Sequence, residues 1–515
     1  MRDKIWQSDT FVDFDHGINN AIKRLREALG DTAETPRFIE TLPRRGYRFL
    51  LSIESTSTEA SIAVLPFLSL SADSENEIFA DGMCEEIICA LMQIKSLRVA
   101  ARTSSFAFKG KHVDLRVIAE QLNVRTVLEG SVRRSGNNLR ITAQLVNAAD
   151  GYHLWSEKYD REMKEVFAIQ EDIAQAIARR LEVTLDSGQQ TLLKAGTESL
   201  EAFKSYMQGR SLFFQRGMRL LPAVERFKKA VSLDPEYALA WSGLADALNM
   251  VAFYALEKPE ACLPPAIEAA QRAIALDPSL SEAHTSLAMS RLFCDWDRLS
   301  AEQEFLCSLD LKPRNSLTRS WYGLYYLQWV AGRFEEGLAQ ATQAVQIDPL
   351  SAYARAIQAI TYVPIDLDRS LETAHETLRI DPEFYLGWWA HLTALKVQGR
   401  FAEAAKVGES ALKVSGRSAW IMASLAQTYA CLGKRANSEA LYMELRWRST
   451  REYVAPAVLA WAACAAGQQE EAIRLVQEAY AIGDPSLIAA KYWPDFEELR
   501  QDSRFNEILI SRGWK

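Results

Sequence analysis

A proline that recurs at a nearly constant interval constrains this chain of 515 residues more than any other feature. In four places it follows an apolar residue and an aspartate, and in a fifth it follows Leu-Lys. These prolines, at successive intervals of 43, 35, 36 and 33 residues, are Pro235, Pro278, Pro313, Pro349 and Pro382. A proline cannot continue a helix, because it lacks the amide hydrogen and its ring clashes with the preceding turn. Each proline therefore marks the boundary between two helical hairpins.

Large and small residues keep fixed places within each of these units. When the units are aligned on the proline, Trp321 falls on a first helix, and Gly337, Ala341 and Ala344 fall on a second. Small residues at spacings of three and four let two helices pack closely, while the large ones fill the gap between hairpins. This pattern resembles the tetratricopeptide repeat, whose period is about 34 residues.

The resemblance implies an all-α solenoid over residues 199–515, with six to eight repeats, a connecting helix at 163–198 and a capping region at 493–514. We expect the tryptophans of the repeats in the core between hairpins, with stacking against a ligand as the alternative. They are Trp241, Trp321, Trp388, Trp389 and Trp461.

Residues 61–162 mix strand and helix patterns, after a polar linker at 52–60. The apolar run IAVLPF predicts a buried strand, and an amphipathic helix is expected at 77–94. Another strand and helix, a hairpin and a final strand complete a small α/β domain. The segments IAVLPF, FADGMCEEI and VLEGSVRRSGNNLRITAQLV resemble the domain similar to the TolB amino-terminal region, which often links a regulator head to tetratricopeptide repeats. The resemblance implies an architecture and no particular activity.

Residues 1–51 combine a polar, basic helix with a hairpin that has arginines at its tip. Asn, Lys and Arg side chains lie on the helix face opposite the apolar one, and the turn 43–46 (PRRG) joins two short strands. Such a helix can enter the major groove of DNA, where Arg and Asn form paired hydrogen bonds with purine edges.

The AIKRLREAL run and the GYRF ending of this segment resemble the C-terminal half of the OmpR/PhoB-type winged-helix domain, an α+β fold. By position, the resemblance assigns base or phosphate contacts to the helix and further contacts to the wing. The helix residues are Asn19, Asn20, Lys23, Arg24 and Arg26, and the wing residues are Arg44 and Arg45. The alternative is that these side chains form only a solvated helix face and a charged turn.

The winged-helix segment has little net charge and corresponds to about half of such a domain. Nine basic and eight acidic residues in 1–51 leave a net charge of +1. Because phosphate attraction grows with the number of contacts, one head is expected to bind weakly, and a homodimer on DNA would help. The first sheet and helices of the family would precede Met1. We therefore expect either a start further upstream or a vestigial head.

The composition excludes several other classes of protein. Lys and Arg total 59 against 67 Asp and Glu, so any contact with DNA must come from a local basic surface. The seven scattered cysteines and six histidines show neither a disulfide framework nor the spacing of metal ligands.

Walker, GxSxG and HExxH motifs are absent, so we expect no enzyme activity, cofactor or metal. A signal peptide and apolar membrane spans are also absent, which favours a cytoplasmic protein without a membrane partner.

The leading hypothesis is a transcriptional regulator that binds double-stranded DNA through the head and a protein or peptide on the concave face of the solenoid. The alternative is an interaction scaffold with a vestigial head. A third hypothesis, an accessory part of a nucleotide-cyclase system, has less support, because it depends only on domains that accompany this α/β domain elsewhere.

Overall fold

The computed structural model describes residues 22–26, 31–32, 38–42, 46–49, 60–70, 74–92, 94, 96–135, 138–162, 165–181, 196–294 and 296–511. The chain forms two compact units, Met1–Glu59 and Ala60–Lys515. Among the helices in these ranges, none is both long and apolar enough to cross a membrane.

The first unit contains a helical turn at residues 22–26 and a two-stranded hairpin. Strands β1 (Ile39–Leu42) and β2 (Gly46–Phe49) pair antiparallel, with Ile39 opposite Phe49. The side chain of Ile39 is buried, so the face of the hairpin on which it lies is the one shielded from solvent. The helix and hairpin expected in this part of the sequence are therefore present.

The second unit begins with a mixed α/β domain. Its strands are β3 (Ala60–Val64), β4 (Leu68–Ser69), β5 (Leu97–Val99), β6 (Thr126–Ser135), β7 (Asn138–Asn147) and β8 (His153–Glu162). The sheet has the order β5-β3-β6-β7-β8, in which β3 is parallel to β5 and β6, while β7 is antiparallel to both of its neighbours. The strand predicted at 62–67 ends at Val64, and β4 then pairs with β6 further along.

Helices cover both faces of this sheet, as the alternation of side chains in β3 requires. They are α1 (Ser74–Met92), α2 (Arg102–Phe106), α3 (Leu115–Leu122) and α4 (Val166–Arg180). Ile62 and Val64 belong to one apolar cluster with residues of α1 and α4. Ala63 belongs to a second cluster with residues of α3. The sheet is thus the middle layer of a three-layer domain.

The described residues from 196 onward form eight helical hairpins, at the upper end of the expected range. The pairs are α5 (Leu200–Gln215) with α6 (Leu220–Leu233), α7 (Ala238–Phe253) with α8 (Pro259–Leu276), α9 (Ser281–Cys294) with α10 (Arg298–Leu311), α11 (Ser316–Trp321, continued by a π-helix at Tyr322–Gln328) with α12 (Phe334–Ile347), α13 (Ala352–Tyr362) with α14 (Leu367–Ile380), α15 (Tyr385–Val397) with α16 (Phe401–Val414), α17 (Ala419–Cys431) with α18 (Arg435–Arg448), and α19 (Pro456–Ala465) with α20 (Gln469–Ala481). After three short 3₁₀ turns, α21 (Ser503–Ser511) packs on α20. The solenoid predicted from the proline repeat is confirmed.

The carbonyl oxygen of each repeat proline accepts a hydrogen bond from a side chain six residues later. Trp241 Nε1 donates to Pro235 at 2.9 Å, and Trp388 Nε1 donates to Pro382 at 2.8 Å. His284 and two arginines occupy the same place; the other pairs are His284 with Pro278 at 3.1 Å, Arg319 with Pro313 at 2.6 Å, and Arg355 with Pro349 at 2.9 Å. A tryptophan, histidine or arginine at one fixed position thus satisfies the loop carbonyl in five successive repeats.

The tryptophans divide into two groups. Trp321 and Trp461 are fully buried and Trp389 is nearly so, which agrees with the expected core position. Trp241 and Trp388 are only partly buried, and they pack on the core while donating to the proline carbonyl. For these two, the hydrogen bond adds a role that periodicity did not indicate.

Aromatic side chains from repeats that are far apart in sequence meet on the inner side of the solenoid. The ring of Phe253, at the end of α7, lies 5.0 Å from Tyr325 and 5.2 Å from Trp420 between centroids. In simple solenoids each repeat contacts only its neighbours. Here the inner side closes on itself at this level, so the concave surface is not open along its whole length.

The α/β domain packs directly on the first hairpin of the solenoid. A Cβ atom on Gly82 of α1 would lie 2.7 Å from Cγ of Met207 in α5, so only glycine allows this approach without a shift of the methionine. Close by, the buried carboxylate of Glu85 forms ion pairs with Arg102 at 2.7 Å and with Arg210 of α5 at 3.4 Å. Charge and packing therefore hold α1 and α5 together.

Candidate nucleic-acid interface and solenoid groove

Arg26 connects the helical turn of the first unit to its hairpin. Its Nη2 donates to the carbonyl oxygen of Ile39 at 2.7 Å and to Oγ1 of Thr41 at 2.9 Å. The guanidinium also lies 5.8 Å from the centre of the Tyr47 ring. Hydrogen bonds from a charged donor are stronger than neutral ones, so this contact orients the turn on β1.

Asp31 holds the start of the hairpin in place. Its Oδ2 accepts hydrogen bonds from the backbone amides of Phe38 at 3.2 Å and Ile39 at 2.8 Å, and the side chain is buried. The Asp31 amide in turn donates to the carbonyl of Arg26 at 2.9 Å. Asp31 thus forms hydrogen bonds both with the end of the helical turn and with the start of β1. These bonds fix the position of the turn relative to the hairpin.

The structure describes three of the seven residues expected to contact DNA. Lys23 and Arg24 are exposed on the helical turn, and Arg26 is partly buried against the hairpin. Asn19, Asn20, Arg44 and Arg45 lie outside the described residues. Contact of any of the seven with DNA stays a prediction.

A groove of about 620 Å³ lies on the inner side of the solenoid, between its later repeats and the C-terminal segment. Trp329 and Phe334 of the fourth repeat, Val397 of the sixth and Cys431 of the seventh line one side. Residues 492–501 line the other side. The volume falls within the range typical of small-ligand and peptide-anchor pockets.

Trp493 joins the C-terminal segment to the inner face. Its ring lies 5.1 Å from that of Trp389, nearly parallel to it, and 5.4 Å from that of Trp329. The 3₁₀ turn Pro485–Ala489 contacts α7 and α9 of early repeats. Trp493, the first residue of the expected capping region, and the turn that precedes this region therefore both pack along the interior of the solenoid.

A buried ion pair lies at one wall of the groove. Lys396 Nζ donates to Oδ1 of Asp495, to Oε1 of Gln427 at 2.8 Å and to Oγ of Ser424 at 3.1 Å. Gln427 Nε2 donates to the backbone carbonyl of Asp495 at 2.8 Å. Both charged side chains are buried. A buried ion pair needs further hydrogen bonds to offset its loss of hydration, and Ser424 and Gln427 supply them here.

Sequence reasoning missed Asp31, Lys396 and Asp495. Asp31 lies within the expected winged-helix segment 1–51, and Asp495 lies within the expected capping region 493–514. The contacts that give these residues their roles join Asp31 to the start of β1, 7 and 8 residues away, and Lys396 to Asp495, 99 residues away, and no periodic pattern connects them. Across the described ranges, no group of three or more His, Cys, Asp or Glu side chains is placed to hold a metal ion.

Two family models match the N-terminal third of the chain. Residues 1–49 match the C-terminal domain of transcriptional regulatory proteins. Residues 58–178 match the second domain of HilA/YgeH-like transcriptional regulators. The second match covers the α/β domain and helix α4, and it associates this domain with transcriptional regulators.

Curated relatives match parts of the chain. Adenylate cyclase 3 of Rhizobium meliloti (strain 1021), itself named only as a candidate cyclase, is 40% identical over 187 residues, which are 36% of this chain and 32% of that protein. The cholera toxin transcriptional activator of Vibrio cholerae is 30% identical over 59 residues, which are 12% of this chain and 20% of that protein. The chain thus spans about a third of the first relative and a fifth of the second.

Solved structures similar to this chain include yeast Tom70, with 16% identity and a TM-score of 0.39, covering 68% of this chain and 80% of that one. Another is YrrB, described as a tetratricopeptide repeat protein with an unusual peptide-binding site, with 18% identity and a TM-score of 0.26, covering 38% of this chain and 94% of that one. The chain thus combines two N-terminal segments that match domains of transcriptional regulators with eight helical hairpins that resemble tetratricopeptide repeats.

Proposed function

We propose that this chain binds double-stranded DNA through residues 1–51 and regulates transcription in response to a protein or peptide bound by its solenoid. The match of residues 1–49 to a transcriptional regulatory domain carries the proposal. Two exposed basic side chains, Lys23 and Arg24, on a turn that Arg26 and Asp31 fix to a hairpin, support it. A rigid support for a basic helix is what docking into the major groove needs.

In this proposal the helix supplies base and phosphate contacts and the turn of the wing supplies further ones. The helix residues are Asn19, Asn20, Lys23, Arg24 and Arg26, and the wing residues are Arg44 and Arg45. Because Arg26 already bonds to Ile39 and Thr41, we expect its main effect on DNA binding to be indirect, through the orientation of the helix. Because residues 1–51 have a small net charge, the proposal includes a homodimer, which would double the number of contacts with DNA. It also includes a cytoplasmic location for the protein.

Selection from a randomised duplex library tests the DNA-binding proposal. The full chain should enrich one motif, and Arg24→Ala should relax the preference at one or two positions by about 1–3 kcal/mol. Lys228→Ala, an exposed lysine of the solenoid, serves as the control and should enrich the same motif as the wild type. Enrichment of no motif by the wild-type chain would instead support the scaffold hypothesis.

The groove beside residues 492–501 is the proposed site for the protein or peptide partner. It has an apolar wall with Trp329, Phe334 and Val397, together with polar groups from the C-terminal segment. This combination suits an apolar anchor side chain that is held in place by backbone hydrogen bonds. The aromatic contacts of Phe253 close the inner side elsewhere, so this groove is a more accessible part of the concave face.

Two matched variants test the groove. Val397 and Val414 are exposed to nearly the same extent, but only Val397 lines the groove. Peptides selected from a display library on the full chain should lose at least tenfold in affinity for Val397→Glu and keep it for Val414→Glu. Equal affinities for both variants would exclude the groove.

We assign no enzymatic role to the chain. The match to the candidate cyclase covers only 32% of that protein, while residues 1–49 and 58–178 of this chain match regulator domains and the described residues from 196 onward form helical repeats. A cyclase assay of the full chain should therefore give no product above background. We also propose the domain boundaries 1–51, 52–60, 61–162, 163–198 and 199–515, which limited proteolysis can test.

A further inference from the structure

Two histidine rings meet where the fifth and sixth repeats join. Nε2 of His375, on α14, lies 3.1 Å from Nε2 of His391, on α15. His375 is exposed and His391 is partly buried, so solvent reaches the pair. Histidine is the commonest metal ligand in proteins, and imidazole nitrogens suit zinc, nickel and copper ions. The pair is therefore a candidate metal site.

The distance between the two nitrogens suits one shared metal ion. Two nitrogens that are each about 2.1 Å from a zinc ion lie ~3.4 Å apart in a tetrahedral site, and ~3.0 Å apart when the angle at the metal is a right angle. The observed 3.1 Å falls between these two values. The ring planes are nearly perpendicular and the ring centres are only 4.4 Å apart, so the two nitrogens are not aimed head-on at each other. An ion beside them can therefore contact both nitrogens without a shift of either helix.

The geometry of the repeat places these two positions in contact. His391 lies nine residues after the repeat proline, and His375 lies seven residues before it. In the preceding repeat the same two places hold Gln358 and Thr342, and Gln358 Nε2 donates to Oγ1 of Thr342 at 3.2 Å. Around the other three repeat prolines these places hold no histidine; the pairs are Lys228 with Leu244, Gln271 with Leu287, and Leu306 with Tyr322.

Hydrogen bonds hold the junction between α14 and α15 in one geometry. Trp388, three residues before His391 and on the same side of α15, donates to the Pro382 carbonyl at 2.8 Å. In the loop, Asp381 accepts a hydrogen bond from the amide of Glu383 at 3.0 Å. Ligands that are already held in place bind more tightly, because less freedom is lost on binding.

The charges around the pair leave room for a cation. Besides His375, the charges that act on His391 come from Arg400 and Glu403, at the start of α16. Arg400 donates to Glu403 twice, from Nε to Oε1 at 2.8 Å and from Nη2 to Oε2 at 2.7 Å. Because this arginine is bound to a carboxylate through two hydrogen bonds, its repulsion of a metal ion is largely compensated.

Metal binding to this pair needs no net release of protons. In the contact between the two rings, one Nε2 carries the hydrogen and the other accepts it. A neutral imidazole can carry its proton on Nδ1 instead, which leaves both Nε2 lone pairs for the metal. Nδ1 of His391 is buried and has no hydrogen-bond partner within the described residues. Because such outer partners contribute about 10–100-fold to metal affinity, we expect micromolar binding, weaker than that of a structural zinc site.

We propose that His375 and His391 bind one divalent transition-metal ion of the zinc, nickel or copper class. In the part of the chain that the structure describes, no third His, Cys, Asp or Glu is placed to complete a metal site, so water fills the other positions. The site goes beyond the proposed function. Since α15 also carries Lys396 and Val397 of the groove, the ion would hold one wall of the groove against the preceding repeat.

Calorimetric titration of the full, untagged chain with zinc chloride tests this proposal. The wild type should bind one ion with a micromolar Kd, and His375→Gln should weaken this binding at least tenfold. His112→Gln removes an exposed histidine from the α/β domain and should keep the wild-type affinity. Equal zinc affinity in the wild type and His375→Gln, or no saturable binding by the wild type below about 1 mM zinc, would overturn the proposal.

Anomalous diffraction at the zinc absorption edge provides a second measurement, which does not depend on the folding of any variant. Crystals of the full chain soaked in zinc chloride should show a peak about 2.0–2.1 Å from Nε2 of both histidines. Zinc bound by only one of the two rings, or only at other places on the surface, would contradict the assignment.

Discussion

The carboxylate of Asp348, in the loop between the fourth and fifth repeats, accepts hydrogen bonds from the backbone amide and the hydroxyl of Ser104 in the α/β domain. The two residues are 244 positions apart in sequence. The Ser104 hydroxyl also accepts a hydrogen bond from the amide of Leu350 at 2.9 Å. One serine thus connects the α/β domain to both sides of the proline in a repeat loop.

Other repeats show what this contact replaces. The carboxylates of Asp234, Asp277 and Asp381 accept a hydrogen bond from the amide two residues later, at 2.9 to 3.0 Å. In the Asp348 loop the corresponding amide, that of Leu350, donates to Ser104 instead. The loop is therefore adapted to receive the α/β domain, and these hydrogen bonds join that domain to the middle of the solenoid.

We predict that Ser104→Ala destabilises this junction by about 1–3 kcal/mol, because Asp348 loses a donor and the Leu350 amide loses its acceptor. Chemical unfolding and hydrogen exchange at the Leu350 amide measure the effect. Ser105 is an exact chemical control, since its buried hydroxyl has no partner within the described residues. Ser105→Ala should cost less than about 0.5 kcal/mol; equal costs for the two variants would show that the bond to Asp348 contributes little.

A second prediction concerns the ion pair at the groove. Asp495→Asn leaves Lys396 as a buried charge without its counterion, which should cost about 3–5 kcal/mol. The fluorescence of Trp493 should change as well, because Asp495 accepts its indole N–H at 3.3 Å. The double variant Lys396→Met with Asp495→Asn should recover part of the loss.

The exposed pair of Arg504 and Glu470 provides the comparison for this ion pair. Glu470→Gln should change stability by less than about 1 kcal/mol, since solvent screens exposed pairs. If Asp495→Asn costs no more than Glu470→Gln, the C-terminal segment is not held in the solenoid by its charge.

The hydrogen bonds to the repeat prolines lead to a third prediction. Trp388→Phe keeps the aromatic ring but removes the donor to the Pro382 carbonyl, and should cost about 0.5–1.5 kcal/mol. Trp447→Phe is the same substitution on a largely exposed tryptophan and should cost less than half as much. Urea unfolding of the three proteins measures the difference, and indistinguishable midpoints would rule out a stabilising role for the bond.

Glu86 makes stability depend on pH. Burial, and then the neighbouring charge of Glu85, raise its pKa from 4.5 to about 8. Because the folded pKa is above the unfolded one, the folded chain binds the proton more tightly, and stability falls as the pH rises from about 4.5 to 8. Over pH 6 to 8 the Tm of Glu86→Gln should therefore fall less steeply than that of the wild type. The exposed control Glu120→Gln should follow the wild-type profile, and three parallel profiles would refute the assignment to Glu86.

Much of the fold could be predicted because it depends on local patterns. The prolines after Asp234, Asp277 and Asp381 mark hairpin boundaries, and the alternation in 127–146 predicted strands β6 and β7. These features reflect backbone chemistry that acts within a few residues. Helix α2 was not predicted, because its five residues are too short to show a helical period.

The closure of the solenoid and the functional surfaces could not be predicted in the same way. Phe253 and Trp420 look like ordinary core residues in sequence, and their contact depends on how the repeats wind in three dimensions. His375 and His391 are 16 positions apart in sequence, and only the packing of α14 on α15 brings their rings together. Arg26 belonged to the predicted DNA-binding set, and its bond to Ile39 depends on where the hairpin folds back.

The salt dependence of duplex DNA binding by the full chain tests the central claim most directly. Lys23→Ala with Arg24→Ala should weaken binding and lower the slope of log K against log salt by about 2, since each phosphate contact contributes about 0.9. The double variant Lys228→Ala with Lys229→Ala removes two exposed lysines from the solenoid and should leave the slope unchanged. If the Lys23 and Arg24 variant keeps both the affinity and the slope of the wild type, the head does not bind DNA through this helix.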